Sequence, residues 1–494
     1  LSLFGVQLFK KNDRRVDHHT LYMIDNYVQP SEILTEDFLE KPGHFCGISG
    51  IWSPKPINVH KFTFYMLFAL QHRGQEACGI AWQNDTRIKT DKALGMVSQR
   101  MDSWLTTQEL STCAIGHVRY ATHGGSGIIN AQPLAIYCNK GHIALAHNGN
   151  LSNANELRAE LFSQGNIFQT TTDSEIILHR ISHSAKTNKI DILKEALAGI
   201  EGAFSLCMLW DNELILVRDP QGFRPLYYAQ KDDIWYAASE TCALYSIGAE
   251  NIHEVNPGTV IIINNDGIQS FLLDTGKPAS LSHCIFELIY FARPDSELFG
   301  KSIYAFRKAL GEQLAYRDTL TPDIVIPVPD SGTIAAIGYA QAKQCRFELA
   351  LTRNHYTGRS FILPTKNERE FAVRMKLHPI NAIIKDKIVV LIDDSLVRGT
   401  TSGIIVKLMR EAGAKEVHLR LSSPELKWPC FYGIDIPTRE ELISHRLSPE
   451  AIARTIEADS VQFMSLDDLL LCAGKESCNY CTACFSGKYP TVIS

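Results

Sequence analysis

One stretch constrains the fold of this chain more than any other: Val389-Val-Leu-Ile-Asp393-Asp394-Ser395-Leu-Val-Arg398-Gly399-Thr400-Thr401-Ser402. An unbroken apolar run that ends in two adjacent carboxylates is the pattern of a parallel strand buried on both faces. Sheets of that kind bind ligands beyond the carboxyl ends of their strands. Gly399, two threonines and Ser402 then open a helix. Free backbone N–H groups, small hydroxyls and the positive helix end suit a phosphate dianion. The paired acids suit ribose hydroxyls and Mg²⁺, a hard cation that takes oxygen ligands. The Gly-x4-Gly-Lys pattern of a Walker loop is absent from the stretch.

The surrounding sequence agrees. Strands are predicted over 323–328, 387–392 and 416–421, with helices over 333–342 and 400–412, the latter closed by Gly413. Strands alternating with helices predict a parallel sheet covered by helices. From Cys46 to about residue 274 the rhythm differs. Short strands are predicted over 114–120, 142–147, 203–210, 213–217 and 226–229, and helices over 62–71 and 174–184, with Asp173 as N-cap of the second. A chain of 494 residues is too long for one core. The change of rhythm puts a boundary near 275–285.

Charge and cysteine content exclude several classes. Forty-nine basic against 54 acidic residues give a net charge of −5, which argues against a chain that grips nucleic acid by bulk charge. The best apolar run, 206–217, is broken by Asp211 and Glu213, so no membrane span is expected. Thirteen cysteines, an odd count without a secretory signal, point to reduced thiols and a cytoplasmic location. Cys478, Cys481 and Cys484 have metal-ligand spacing, and spacing alone leaves zinc and an iron–sulfur cluster both open.

The stretch through Ser402 resembles the phosphoribosyl-pyrophosphate (PRPP) loop of type I phosphoribosyltransferases. The resemblance implies that Asp393 and Asp394 meet the ribose and that 397–402, with Ser395, Arg398, Gly399, Thr400, Thr401 and Ser402, surrounds the 5-phosphate. A second element, Val325-Ile-Pro-Val-Pro-Asp330-Ser331-Gly332, resembles the pyrophosphate-side loop of that family and implies Ser331 near one Mg²⁺ ion. The polar segment 353–376, with Arg359, Arg374 and Lys376, resembles its lid, whose cations would neutralise the leaving pyrophosphate.

The first half is similar to the class II glutamine amidotransferases, which are N-terminal-nucleophile hydrolases. The similarity rests on Cys46-Gly-Ile-Ser-Gly, Gln71-His-Arg-Gly-Gln-Glu76, Gly116-His-Val-Arg119-Tyr-Ala-Thr122, Ala146-His-Asn148-Gly149-Asn150, Thr171-Thr-Asp173-Ser-Glu175 and Arg218-Asp-Pro-Gln-Gly-Phe-Arg224. It implies Cys46 as nucleophile, Asn148 and Gly149 as oxyanion hole, and Arg119 and Asp173 as holders of the glutamine carboxylate and ammonium. An α-amino group has a reference pKa near 8, so it serves as base close to neutral pH, but only if Cys46 is the first residue. Residues 1–45 thus read either as a tail or as a leader removed to expose Cys46.

Joined, the halves resemble the glutamine–PRPP amidotransferases. The expected architecture is an α+β αββα glutaminase domain (46–278) followed by an α/β phosphoribosyltransferase domain with a parallel sheet (279–470) and a cysteine-bearing terminus (471–494). The implied reaction forms 5-phosphoribosylamine at the entry to purine synthesis. The resemblance also implies a homotetramer inhibited by purine nucleotides, and a [4Fe–4S] cluster on Cys284, Cys430, Cys481 and Cys484, leaving Cys478 outside. A PRPP-sensing regulator is the competing reading. It would need a basic face, which net −5 does not favour, and could lose the glutaminase residues, all of which are present.

Overall fold

The computed structural model describes residues 44–121, 127–273, 280–354, 371 and 373–493. Within them, the first half is built on two antiparallel sheets packed face to face. One has the strand order 253–254, 227–231, 234–238, 44–57, 111–121, 77–84, 87–94. The other runs 267–272, 259–264, 213–218, 202–210, 141–151, 134–138. Between them lies an apolar layer in which Ile48, Ala81 and Ile115 of the first sheet meet Ala146, Leu209 and Leu216 of the second. Alternation along each strand produces this, since successive side chains point to opposite faces.

The outer faces are covered by helices. Ile176, Ile181 and Leu193 of Ser174–His183 and Lys189–Leu197 pack on Leu145, Leu206 and Met208. Phe64 and Leu67 of Val59–Ala69 pack on Ile51, Ile80 and Val118. This is the expected αββα sandwich.

The second half carries the expected parallel sheet, in the order Arg346–Phe347, Ile324–Pro327, Ile388–Asp393, Glu416–Leu421, Ser460–Phe463. Every neighbouring pair in it is parallel. Thr333–Lys343 and Thr400–Glu411 are its connecting helices, and Gly413 takes the left-handed conformation (φ +89°) that ends the second. The sequence reading did not anticipate the helix Ile303–Arg317 or the edge strands Arg346–Phe347 and Ser460–Phe463. The cluster on the outer face of the seven-stranded sheet continues through Ile285, Leu288 and Phe306 to Tyr432 and Phe485, so one apolar core runs past the expected boundary.

Candidate active site

Cys46 lies on His44–Ile57, the central strand of its sheet, directly opposite Arg119 on Ser111–Ala121. Asn148, Gly149 and Asn150 lie on Gly141–Leu151 of the facing sheet, and Asp173 immediately precedes Ser174–His183. Cys46, Arg119, Gln132, His147, Gly149, Thr172 and Asp173 line one small cavity. Residues far apart in sequence therefore converge because both sheets aim strand ends at one point.

Gly149 has φ +150°, and a Cβ there would overlap the Ala203 carbonyl, so only glycine fits. Asn148 is buried on the same strand. Burial pushes the Cys46 thiol up to about 12, with a smaller push from Asp173, against the opposing pull of Arg119 and Arg224.

Asp173 does not cap its helix as expected. Its backbone is already helical and its carboxylate turns toward the cavity, accepting from Leu151 N at 2.8 Å and Ser174 Oγ at 3.3 Å. Gln132, His147 and Ser174 stand behind the cavity without having been assigned a role from sequence. Gln132 Oε1 accepts from His147 N at 2.8 Å, Gln132 Nε2 donates to Ser174 Oγ at 3.1 Å, and His147 Nδ1 is 2.9 Å from the same hydroxyl. His147 and Ser174 stood inside recognisable motif blocks. Gln132 carried no local signal.

At the carboxyl edge of the parallel sheet, Asp393 ends its strand and accepts from Ser331 Oγ at 3.4 Å and from Asp394 N at 2.9 Å. Asp394 accepts from Ser395 Oγ at 2.5 Å. Burial raises the pKa of both carboxyls, and for Asp393 the neighbouring Asp394 raises it further. The segment with Ser331 thus meets the acid pair. A Cβ on Gly332 would overlap the Ile392 carbonyl, so this close approach requires glycine. Gly399 has φ +78° and opens the helix Thr400–Glu411, whose first residues Thr400 and Thr401 are exposed and whose Ser402 is buried. Arg398 is exposed and paired with Glu441 at 2.5 Å.

Arg359 lies outside the described residues, as does most of the expected lid. Arg374 is described. Its guanidinium makes two 2.8 Å bonds to Glu411, at the opposite end of the helix that Gly399 opens.

The cysteines sort into two kinds. Cys284 and Cys481 are register partners in a short parallel pair, His283–Cys284 with Tyr480–Cys481. Burial raises the pKa of Cys284, Cys481 and Cys484, and their near neighbours Cys430, Cys284 and Cys481 add to the rise. Cys478 is exposed, with Sγ 3.6 Å from Asn479 Oδ1. Among the described residues, no three or more His, Cys, Asp or Glu side chains are arranged to hold a metal ion.

A buried ion network joins the two halves. Arg73 pairs with Glu240 and, at 2.5 Å, with Glu287, and Arg224 pairs with Glu287 at 2.8 Å.

Residues 123–246 match the glutamine amidotransferase domain. The amidophosphoribosyltransferase of Bacillus subtilis is 44% identical over 453 residues, spanning 91% of this chain and 94% of that protein. The chain belongs to the amidophosphoribosyltransferase family. The family enzyme of Methanocaldococcus jannaschii is 42% identical over 464 residues, 91% of this chain and 98% of its own. A solved structure of glutamine PRPP amidotransferase from B. subtilis, complexed with ADP and GMP, superposes with a TM-score of 0.84 at 42% identity, covering 91% of this chain and 98% of that one. Members of the amidophosphoribosyltransferase family use glutamine to aminate PRPP, giving 5-phosphoribosylamine, glutamate and pyrophosphate, the first step of purine synthesis. That activity is the function of this chain.

Proposed function

We propose that the reaction is divided between the two halves, with glutamine cleaved in a domain spanning 46–278 and PRPP aminated in one spanning 279–470. Cys46 Sγ attacks the glutamine carboxamide. Asn148 Nδ2 and the Gly149 N–H donate to the developing oxyanion, a role suited to donors that bring no competing charge. The Arg119 guanidinium holds the α-carboxylate as a fork, and Asp173 holds the α-ammonium. Ammonia leaves, and water then releases glutamate from the thioester. The observation that carries this reading is the meeting of Cys46, Arg119, Gly149 and Asp173 at one cavity.

The raised thiol of Cys46 bears on residues 1–45. A buried thiol held this high is a poor nucleophile at neutral pH. Removal of the leader would place an α-amino group, reference pKa near 8, beside the sulfur as its base.

In the second half, Asp393 and Asp394 hold the ribose hydroxyls, and 397–402 holds the 5-phosphate with its backbone N–H groups and hydroxyls. Ammonia attacks C1 as pyrophosphate departs. The oxygen donor set of Ser331, Asp393 and Asp394 fits Mg²⁺, because two carboxyls with raised pKa values side by side ask for a cation. When bound, Mg²⁺ neutralises the pyrophosphate charge. Arg359 belongs to this proposal as a lid cation.

Cys284, Cys430, Cys481 and Cys484 fit a [4Fe–4S] cluster, being neighbouring thiols of which Cys284, Cys430 and Cys484 are buried and Cys481 is half-buried. Four thiolates are the donor set that a [4Fe–4S] cluster takes, and these four residues would hold it. When bound, the cluster cross-links three segments, and neither half-reaction transfers electrons. Purine nucleotide inhibition and a homotetramer belong to the same reading, the first supported by the ADP and GMP in the B. subtilis structure. None of the thirteen cysteines is paired in a disulfide, which supports a cytoplasmic location.

One assay tests the division. Cys46→Ala should abolish glutamine-dependent phosphoribosylamine formation and spare formation from ammonia, whereas Asp394→Ala should abolish both. Glutamine-dependent formation that survives Cys46→Ala overturns the reading.

A further inference from the structure

The segment 430–433 belongs to the second half, yet its main chain is tied to the glutaminase strand Gly141–Leu151 and its surroundings. Phe431 O accepts from Asn150 Nδ2 at 3.0 Å across 281 positions of sequence. Tyr432 O accepts from Arg224 Nε at 3.1 Å, and the Tyr432 ring stacks on Phe223 with centroids 4.2 Å apart. Gly433, at φ +90°, lies against the Gly149 backbone. A Cβ on Gly433 would sit 3.0 Å from Gly149 C, 3.1 Å from Gly149 O and 3.2 Å from Arg224 Nη2.

These ties fall on one place. Asn150 follows Gly149, which follows Asn148, so the donated bond and the backbone contact both act on the strand that carries the proposed oxyanion donors. Gly149 is also confined by the Ala203 carbonyl, which a Cβ on it would overlap. A glycine with φ near +150° has no side chain to fix it, and its N–H direction depends on what packs against its two faces. Arg224 is itself fixed by Glu287, so the segment rests on a rigid support.

We infer that segment 430–433 is a positioning element for glutamine cleavage: through Asn150 and Gly433 it fixes the direction of the Gly149 N–H. The inference rests on the reading that Asn148 and Gly149 hold the oxyanion. It gives the second half a direct hold on the chemistry of the first. A donor that must sit within a few tenths of an ångström of its acceptor loses catalytic power when it tilts, while the groups that bind glutamine, Arg119 and Asp173, are untouched.

The test uses the full chain and three variants, Asn150→Ala, Gly433→Ala and Asn148→Ala. Three rates are read: glutamine hydrolysis with kcat and KM separated, PRPP amination from ammonia, and alkylation of Cys46 by iodoacetamide. Asn150→Ala and Gly433→Ala should lower kcat for glutamine by about ten- to a hundredfold. KM for glutamine, alkylation and the ammonia reaction should stay within about twofold. Asn150→Ala is decisive, because it leaves the backbone free and adds no atoms. If its kcat is unchanged, or if the ammonia reaction falls with it, the inference is overturned, the second result marking general packing instead. If Asn148→Ala leaves kcat unchanged, it is the oxyanion reading that fails. A fall in Asn148→Ala without one in Asn150→Ala defeats the positioning role alone.

Discussion

Cys46 and Arg119 are paired across antiparallel strands, so the thiol and a buried guanidinium share one cavity. Arg119 pulls the thiol toward its anion, yet burial outweighs that pull and holds the thiol near 12. With Phe45 still attached, little thiolate exists at neutral pH. The thiolate fraction, and with it alkylation by iodoacetamide, should rise about tenfold per pH unit from neutral to moderately alkaline pH. Removing residues 1–45 should shift that profile to lower pH. Peptide mass spectrometry reads both, and a pH-independent alkylation of the untrimmed chain would contradict this account.

Arg119 also makes a prediction about binding. A guanidinium fork can take a carboxylate with two parallel bonds, and a lysine ammonium cannot. On the proposed role of Arg119 as holder of the α-carboxylate, Arg119→Lys should therefore raise KM for glutamine about tenfold and leave kcat nearly unchanged, since such a contact is equal in ground and transition states. Steady-state kinetics with ammonia as the alternative donor separates this from a folding defect. A fall in kcat at unchanged KM would place Arg119 in the chemistry instead.

The sequence made some of this legible and hid the rest, for physical reasons. Asp393, Asp394 and Gly399 were readable because strand, acids and helix start are contiguous, so local pattern alone sets their geometry. Cys46, Arg119 and Asp173 were readable only through motif resemblance, since three separate strands and loops bring them together. Asp173 shows where local logic loses: an acid before a helix is a natural N-cap, but its carboxylate is drawn to Leu151 N instead. Gln132 had no signal, because one buried amide can be matched to its partners only once the fold is known. The pairing of Arg73 with Glu240 and Glu287 spans 167 and 214 positions and was invisible for the same reason.

That buried network predicts a stability effect with a definite pH dependence. Burial, the largest influence on Glu240, would raise its pKa, but Arg73 and His72 overcome it and hold the carboxyl well below its usual range. Glu240→Gln leaves part of the Arg73 charge unpaired in a dry interior and should cost about 3–5 kcal/mol near neutral pH. A depressed folded pKa contributes stability that is present above the unfolded carboxylate range and is lost as pH falls through the folded value. The difference between wild type and Glu240→Gln should therefore be constant above about pH 5 and shrink below about pH 4. Denaturant unfolding at a series of pH values checks this. A difference that grows on acidification would show that Glu240 is not held as its anion.

The cysteines give the last test, because spacing and resemblance choose different sets. Spacing alone selects Cys478, Cys481 and Cys484. The resemblance instead selects Cys284, Cys430, Cys481 and Cys484; Cys430, Cys481 and Cys284 lie near enough to Cys484 to raise its pKa, and Cys478 is at the surface. Four neighbouring thiols, three of them buried, carry a large cost if all are ionised without a cation, so the set is stable as thiolates only around a metal centre. Anaerobically purified protein should then contain iron and acid-labile sulfide with broad visible absorption. Cys430→Ser should remove most of that absorption and Cys478→Ser should leave it intact. Cys430→Ser should also lower thermal stability, because a cross-link among three segments is lost. Protein that holds zinc instead, or Cys478→Ser protein that loses its absorption, would return the choice to the spacing-based set.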